Sequence, residues 1–324
     1  NLLLADDVGL GKTIEAGLVV QELLLRHRAR TVMVVCPPSL SLKWQAEMRE
    51  KFGLEFTIVN SDLLAQVRRT HGIAANPCRL FPRLIVSMSW LPTPRAQRLV
   101  RPVLADAGHR GSARRYAYDV LIVDEAHHVA PANPTEVGRA RGYAVDSQRT
   151  MAVRDLAAHC EHRLFLSATP HNGSTESFTA LLEMIDDRRF ARGADVDATA
   201  LKQVAVRRLK TDIPEKGFKQ RTVKTIPFQP ADEEQEHFAE LERLLKESSK
   251  RNAIHGGTAG DLVGMLLKKR FLSSPYAFGL TMDLYTRAPA RGRLPDDLDA
   301  YGDEVLWASD EEEGQADHPE LVTL

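Results

Sequence analysis

Short apolar runs alternate along the chain with stretches whose apolar residues recur every three or four positions. "NLLLA" (1–5) precedes a helical pattern from Thr13 to Leu25, and "TVMVVC" (31–36) precedes "SLKWQAEMREKF" (41–52). "EFTIV" (55–59), "RLIVSMS" (83–89), "YDVLIVD" (118–124) and "HRLFLSA" (162–168) predict further strands. Most of these runs are continuously apolar rather than alternating. That is the pattern of strands buried on both faces of a parallel sheet, with helices packed on each side. The repeated strand–helix order predicts an α/β fold with a doubly wound, mostly parallel sheet.

Two inserts interrupt the order. "DAGHRGSARRYA" (106–117) is basic and "APANPTEVGRARGYAVDS" (130–147) is rich in Pro, Gly and polar residues, so both read as surface loops. After about residue 190 the alternation fades into a mainly helical extension. "FKQRTVKTIPFQP" (218–230) reads as one strand ending at proline. "DEEQEHFAELERLLKE" (232–247) reads as an amphipathic helix with Phe238, Leu241, Leu244 and Leu245 on one face, Asp232 as its cap and Gln235 three residues on. "TAGDLVGMLLKKRFLSS" (258–274) predicts another helix. The organisation expected is residues 1–190 as one α/β domain, 191–286 as its completion and helical extension, and 287–324 as an acidic linker of low apolar content.

Composition narrows the class. Of the 324 residues 43% are hydrophobic and 27% charged, as in an ordinary soluble globular protein, and no run of about 18 apolar residues suggests a membrane span. The chain does not begin with Met and opens inside an apparent strand, so it reads as a piece of a longer protein. Its three cysteines, Cys36, Cys78 and Cys160, match neither a zinc spacing nor a disulfide framework, which fits a reducing cytoplasm. His128 and His171 have no such cluster around them and read as polar loop residues rather than metal ligands. The net charge of −1 hides an asymmetry, because residues 295–324 carry eleven acids and no Lys or Arg. The basic remainder suits a polyanion, although solvated charged faces explain the composition equally well.

Chemistry concentrates in three stretches. In "LADDVGLGKT" (4–13) an apolar strand runs through a glycine turn into a helix. Gly9 and Gly11 would let the backbone approach phosphate oxygens, and the N–H groups and dipole of the helix start favour an anion there. Lys12 would reach the β- and γ-phosphates and Thr13 would offer its hydroxyl to Mg²⁺, with Leu10 and Ile14 completing the lining. Asp6 stands where the usual pattern has its first glycine; an acid there can brace the loop by bonding to backbone N–H groups. In "VLIVDEAHH" (120–128) Asp124 and Glu125 end a buried strand and would face the loop across the carboxyl edge of the sheet. Asp124 is the candidate for holding Mg²⁺ and Glu125 for orienting and deprotonating a water. "RLFLSATPHNG" (163–173) ends another strand in Ser167, Ala168 and Thr169, whose short hydroxyls can bond a neighbouring acid or His; standing alone it would be an ordinary strand-end turn.

"DDVGLGKT", "DEAH" and "SAT", in that order, resemble motifs I to III of superfamily-two helicases. More narrowly, the acid at position 6, "VVCPPSLSLKWQAEM" (34–48) with Pro37, Trp44 and Glu47, and "VRRLKTDI" (206–213) resemble the Swi/Snf class of DNA translocases. The similarity spans about residues 1–215. It implies a RecA-like lobe of a P-loop ATPase that uses ATP and Mg²⁺ and moves on double-stranded DNA. It also implies that His127 and the Ser167–Thr169 set couple phosphate state to lobe position, and that Ser39 and Lys43 face DNA. The basic residues Arg207, Arg208 and Lys210 would either touch the DNA backbone or brace the lobe boundary as internal ion pairs. Trp44 is a core residue or a base-stacking platform, the first being the commoner use. Within the class, "VGLGKTIEAGL", "DEAHHV", "LFLSATPHNG" and "LLKKRFLSSPYAF" (266–278) are similar to the bacterial branch that includes the RNA-polymerase-recycling ATPase, and resemble the Swi/Snf-like helicases of DISARM antiphage systems. RNA polymerase or defence proteins are the partners this implies. The departures are an upstream adenine-reading glutamine motif and a second RecA-like lobe with its arginine finger, neither of which is in the sequence. A DEAH-type RNA helicase and a nucleotide-regulated binding module with little turnover remain as alternatives. Trp44 and the Arg-Arg-x-Lys signature argue against the first.

Overall fold

The runs "VMVVC", "LIV" and "VLIV" are apolar at every position because the strands they form have no solvent face. In the computed structural model, which describes residues 1–108, 114–131, 146–171, 174–213, 224, 229–253 and 267–287, these runs form the centre of a seven-stranded sheet. The chain divides into two compact units, Asn1–Phe218 and Lys219–Leu324. In the first, the elements are β1 (Leu2–Leu4), α1 (Lys12–Leu25), β2 (Val32–Cys36), α2 (Ser41–Phe52), β3 (Thr57–Ile58), α3 (Ser61–His71), α4 (Pro77–Leu80), β4 (Arg83–Ser87), α5 (Pro94–Ala105), β5 (Tyr118–Val123), α6 (Gln148–Ala158), β6 (Cys160–Leu166), α7 (Thr175–Ile185), α8 (Ala198–Val204) and β7 (Ala205–Val206). The sheet order is β3-β4-β2-β5-β6-β1-β7, and every pairing among these strands is parallel. The expected α/β class therefore holds.

Alternate residues explain the two covered faces. Leu4, Val32, Val34, Cys36, Ile85, Val120, Ile122, Leu164 and Leu166 pack on one face against Ala16 and Val20 of α1 and Trp44 and Met48 of α2. The intervening Met33, Val35, Leu84, Val86, Leu121, Val123 and Phe165 are equally buried. Parallel crossovers are right-handed, so connections that run in opposite directions along the sheet lie on opposite faces. The β1-to-β2 connection passes β6 and β5 in one direction, whereas the β6-to-β7 connection passes β1 in the other. The loops after β1 and β6 therefore diverge, and a crevice opens between them at the carboxyl edge.

The first face requires close approach of α1 to α2. A Cβ on Gly17 would lie 2.2 Å from Phe52 Cε2. Gly17→Ala should therefore destabilise the protein by about 1–3 kcal/mol through overpacking, although alanine is the better helix former by about 1 kcal/mol. A lower urea midpoint is the expected result; a higher one would mean that the helices do not meet at this glycine.

Helix α2 occupies its expected bounds, while the strand expected over 55–59 shortens to Thr57–Ile58 and β7 carries no sequence signal beyond two residues. In the second unit a helix spans Asp232–Ala253, 267–273 is helical and another helix spans Pro275–Arg287. Phe271 lies tilted at 5.5 Å from Phe238 and edge-on at 5.1 Å from Phe278, and Lys268 pairs with Glu242. Leu241 is buried and Leu244, three residues on at the edge of the same stripe, is 50% exposed. One expectation is corrected here. The cap is not Asp232, already inside the helix; Glu234 instead reaches back to accept the Ala231 N–H at 3.1 Å. Apart from Lys224, Gln229 and Pro230, the strand expected over 218–230 lies beyond Ile213 in residues outside those described. So do 109–113 and 132–145 of the two inserts, 254–266 ahead of the last helices, and the acidic stretch from 288. Among the described residues no helix is long and apolar enough to cross a membrane.

Candidate nucleotide-binding site

Register brings the three motifs together. Val123 pairs with Phe165, and Phe165 with Leu3, so Asp124, Leu166 and Leu4 are level one residue later. The loops after β5, β6 and β1 thus leave the carboxyl edge side by side. Strands β5 and β1 are separated only by β6, which sets their backbones about 10 Å apart at the usual spacing of ~4.8 Å. A triphosphate and its metal fit that distance.

The loop after β1 curls on two glycines in the left-handed region, Gly9 at φ 81° and Gly11 at φ 95°. An L side chain at either position would be strained. Gly11 caps α1 without a side-chain bond, so the first helical N–H groups, at Lys12 and Thr13, point into the curl. Lys12 Nζ is held over the loop by the carbonyls of Asp6 at 2.8 Å and Asp7 at 3.5 Å. Leu10 and Ile14 are half-buried on either side, with the Leu10 N–H donating to Asp7 and the Ile14 N–H to Gly11.

Asp124, only 6% exposed, ends β5. Its Oδ1 accepts the Glu125 N–H at 2.9 Å and its Oδ2 accepts the Trp44 indole N–H at 2.7 Å. Burial pushes the Asp124 pKa up; the bonds from Trp44 and Glu125 and the charges of Lys12 and Lys43 pull it back. Glu125 adopts φ 44° and ψ 49°, a left-handed conformation rare for a side-chain-bearing residue. Its Oε2 lies 3.3 Å from His127 Nδ1, which in turn lies 3.0 Å from Ser167 Oγ. Ser167, fully buried, also accepts the N–H of Thr169, which is exposed beyond the half-buried Ala168. Burial, and then the charge of Lys12, hold the His127 imidazole below its ordinary range. Lys12, Asp124, Glu125, His127 and Ser167 thus form one continuous electrostatic and hydrogen-bonded set.

The acid at the head of the loop has a distant partner. Asp6 is fully buried; its Oδ1 accepts the Arg208 N–H at 2.8 Å and its Oδ2 the Arg208 Nε–H at 2.9 Å, across 202 positions. The same guanidinium also pairs with Glu15 in the first turn of α1. Asp7 extends the clasp by accepting the Lys210 N–H at 2.9 Å, and the Asp7 N–H donates to the Arg208 carbonyl. The backbone N–H groups that brace the loop are therefore those of the segment after β7 rather than neighbours in sequence. Of the candidate DNA contacts, Ser39 is exposed on the turn before α2, and Lys43 is exposed in the first turn of α2. Arg207 and Lys210 are exposed, whereas the Arg208 head is committed to two carboxylates.

Sequence reasoning reached the three motifs but missed Glu15 as an ion-pair partner and the indole N–H of Trp44 as a donor to Asp124. Neither has a local signal, since the second joins residues 80 positions apart. A cavity of about 480 Å³ lined by Cys78, Phe81, Tyr116 and Tyr118 lies at the opposite, amino-terminal end of the strands and gathers none of this chemistry.

The fold and this loop define a RecA-like P-loop α/β protein. Residues 1–196 match the SNF2-related domain, and the chain belongs to that family. It is 34% identical over 190 residues to the RNA polymerase-associated protein RapA of Serratia proteamaculans, covering 59% of this chain and 17% of that protein. The same protein of Yersinia enterocolitica is 35% identical over an equal span. The chain therefore covers 17% of the length of these curated relatives. Among solved structures it is similar to a Sulfolobus solfataricus SWI2/SNF2 ATPase core in complex with dsDNA, with 17% identity, a TM-score of 0.46, and coverage of 90% of this chain and 60% of that one.

Proposed function

We propose that this chain forms the nucleotide-binding part of an ATP-driven motor that moves along double-stranded DNA. The observation that carries this reading is the convergence of the Lys12 loop, the Asp124–Glu125 pair and the Ser167–Thr169 turn at the carboxyl ends of three adjacent strands. Lys12 would leave the loop carbonyls for phosphate oxygens, and the N–H groups at the start of α1 would take up the rest of the anion's charge. The donor set fits Mg²⁺. The Thr13 hydroxyl and Asp124 carboxylate are hard oxygens, and among the described residues no cluster of three His, Cys, Asp or Glu would hold a metal without substrate. When bound, Mg²⁺ would neutralise charge on the phosphates. Glu125 would orient the attacking water and accept its proton, and His127 would carry the change to Ser167 and Thr169. Closure against a second RecA-like lobe would complete the site.

Ser39, Lys43, Arg207 and Lys210 would meet DNA phosphates, so binding should be insensitive to sequence and weaken steeply with salt. Arg208 and Asp6 are read as loop braces. Hydrolysis by the intact protein should be stimulated most by duplex DNA, less by single strands and least by RNA. Stimulation by RNA alone would favour a DEAH-type RNA helicase. Nucleotide binding with no stimulated turnover would favour a regulated binding module. RNA polymerase association and antiphage defence in the bacterial cytoplasm are the settings to which the sequence resemblance points; co-purification from uninfected and phage-infected cells separates them.

The pH dependence follows from His127. Lys12, Glu125, His128 and Ser167 surround its ring. Because its pKa is lowered, the imidazole is neutral at pH 7. The stability this neutral form contributes is present above the unfolded value near ~6.5 and is lost as pH falls from there through the folded value. The value of kcat/KM should be level through pH 7 and fall only below about 6.5. His127→Asn should remove that acid limb from the kcat/KM profile, which reports the nucleotide-free protein. An acid limb that lies above pH 7, or that survives the substitution unchanged, would contradict this role.

A further inference from the structure

We propose that Trp44 is a positioning residue that ties the face bearing Ser39 and Lys43 to the Asp124 carboxylate, so that contact with a polyanion on that face adjusts metal holding at the nucleotide site. The proposal rests on the nucleotide-site reading above.

Trp44 is 1% exposed, and its ring is embedded in the core under the sheet with Met48, Val34 and Cys36. An indole N–H is a donor only, and buried indoles usually find an acceptor. Here the acceptor is the one carboxylate at the end of β5 suited to hold a cation. The two donors reach Asp124 from different elements, the Glu125 N–H on Oδ1 and the Trp44 N–H on Oδ2. Together they fix the carboxylate plane and leave one lone pair on each oxygen. Losing a group that orients a metal ligand in this way typically costs about 10–100-fold in metal affinity.

The connection to the surface is short. Trp44 lies in the first turn of α2, which begins at Ser41; Lys43 is the preceding residue, and Ser39 belongs to the turn before the helix. The exposed Lys43 and the buried Trp44 are consecutive residues in that first turn, so the two side chains share one short stretch of backbone. Phosphate binding at Lys43 and Ser39 that shifts the start of α2 must also move the Trp44 N–H relative to Asp124. The ring is buried within the core cluster, and close-packed interiors transmit strain.

The test replaces Trp44 with Phe in the intact protein, which keeps an aromatic ring and removes the donor. Mn²⁺ binding is measured by electron paramagnetic resonance with a non-hydrolysable ATP analogue, and hydrolysis is followed with and without duplex DNA. The expected result is about 10-fold weaker Mn²⁺ binding, at the lower end of the 10–100-fold range for such partners, together with a smaller ratio of DNA-stimulated to basal turnover. Binding of the analogue without divalent cation should be unchanged. If Trp44→Phe folds poorly by urea titration, benzothienylalanine at 44, in which sulfur replaces the N–H within the same outline, gives the same readout. Unchanged Mn²⁺ affinity, or an unchanged stimulation ratio, overturns the proposal and leaves Trp44 a core residue. A wild-type protein that binds no Mn²⁺–nucleotide removes the nucleotide-site reading as well; wild-type binding with an unaffected variant removes only the role of Trp44.

Discussion

Replacing Glu125 with Gln is expected to leave nucleotide binding intact and to slow hydrolysis by about 10²–10⁴-fold, the usual worth of a positioned general base. Gln keeps the shape of the side chain and its reach toward His127, which is 3.3 Å from the carboxylate in the structure. It cannot accept the proton that a water must lose. Backbone geometry supports the assignment independently. Glu125 holds a left-handed conformation at φ 44° that costs about 1–3 kcal/mol. A residue kept there despite the strain has its side chain aimed by the turn. Glu125→Gly should therefore raise the unfolding midpoint while losing hydrolysis, a pairing that a merely structural glutamate would not give. Single-turnover kinetics on both variants, alongside nucleotide affinity, provide the check; retained turnover in Glu125→Gln would remove the residue from the chemistry.

Arg208→Ala should cost more stability than Asp6→Asn. The asymmetry comes from burial. Asp6 is enclosed, whereas the Arg208 side chain is 47% exposed. Removing the guanidinium leaves a buried carboxylate with only the backbone N–H of residue 208. Leaving a buried acceptor short of its partner costs about 1–3 kcal/mol, the half-exposed guanidinium being partly screened by solvent. Removing the acid leaves a cation that can turn to water and to Glu15. The clasp also joins the head of the phosphate loop to the segment after β7, so Arg208→Ala should weaken nucleotide binding although Arg208 is not read as a phosphate ligand. Urea titration of the two variants and their double mutant would show non-additivity if the pair is real. Equal costs, or additive ones, would mean that Asp6 is braced by something else.

How much of this was legible depends on where each signal resides. The central strands announced themselves, because burial on both faces leaves no polar position to confuse the pattern, and α2 has its expected bounds. The strand over 55–59 and β7 did not, since Thr57–Ile58 and Ala205–Val206 are too short for any periodicity. Lys12, Asp124, Glu125 and Ser167 stand out in the sequence as candidates because each follows an apolar strand in a compact motif. Arg208 was visible as a basic residue, but its partner was not, because Asp6 lies 202 positions away and only the β1–β7 pairing brings them together. Trp44 read as core, correctly as to burial, yet hydrophobic patterning carries no information about where an indole N–H points. Capping of the helix from Asp232 was misassigned by one turn position, since Asp232 and Glu234 are both acids able to bond a nearby backbone N–H.

The central claim is that Lys12 and Asp124 converge on one Mg²⁺–nucleotide, Lys12 at its phosphates and Asp124 at the metal. Calorimetric titration of ATP into the intact protein, with and without Mg²⁺, tests it directly when run beside Lys12→Ala and Asp124→Asn. Wild-type protein should bind more tightly with Mg²⁺. Lys12→Ala should lose affinity under both conditions by about 10–100-fold, the worth of a charge-assisted hydrogen bond, and Asp124→Asn should lose only the enhancement by Mg²⁺. Equal binding by all three proteins would contradict the account.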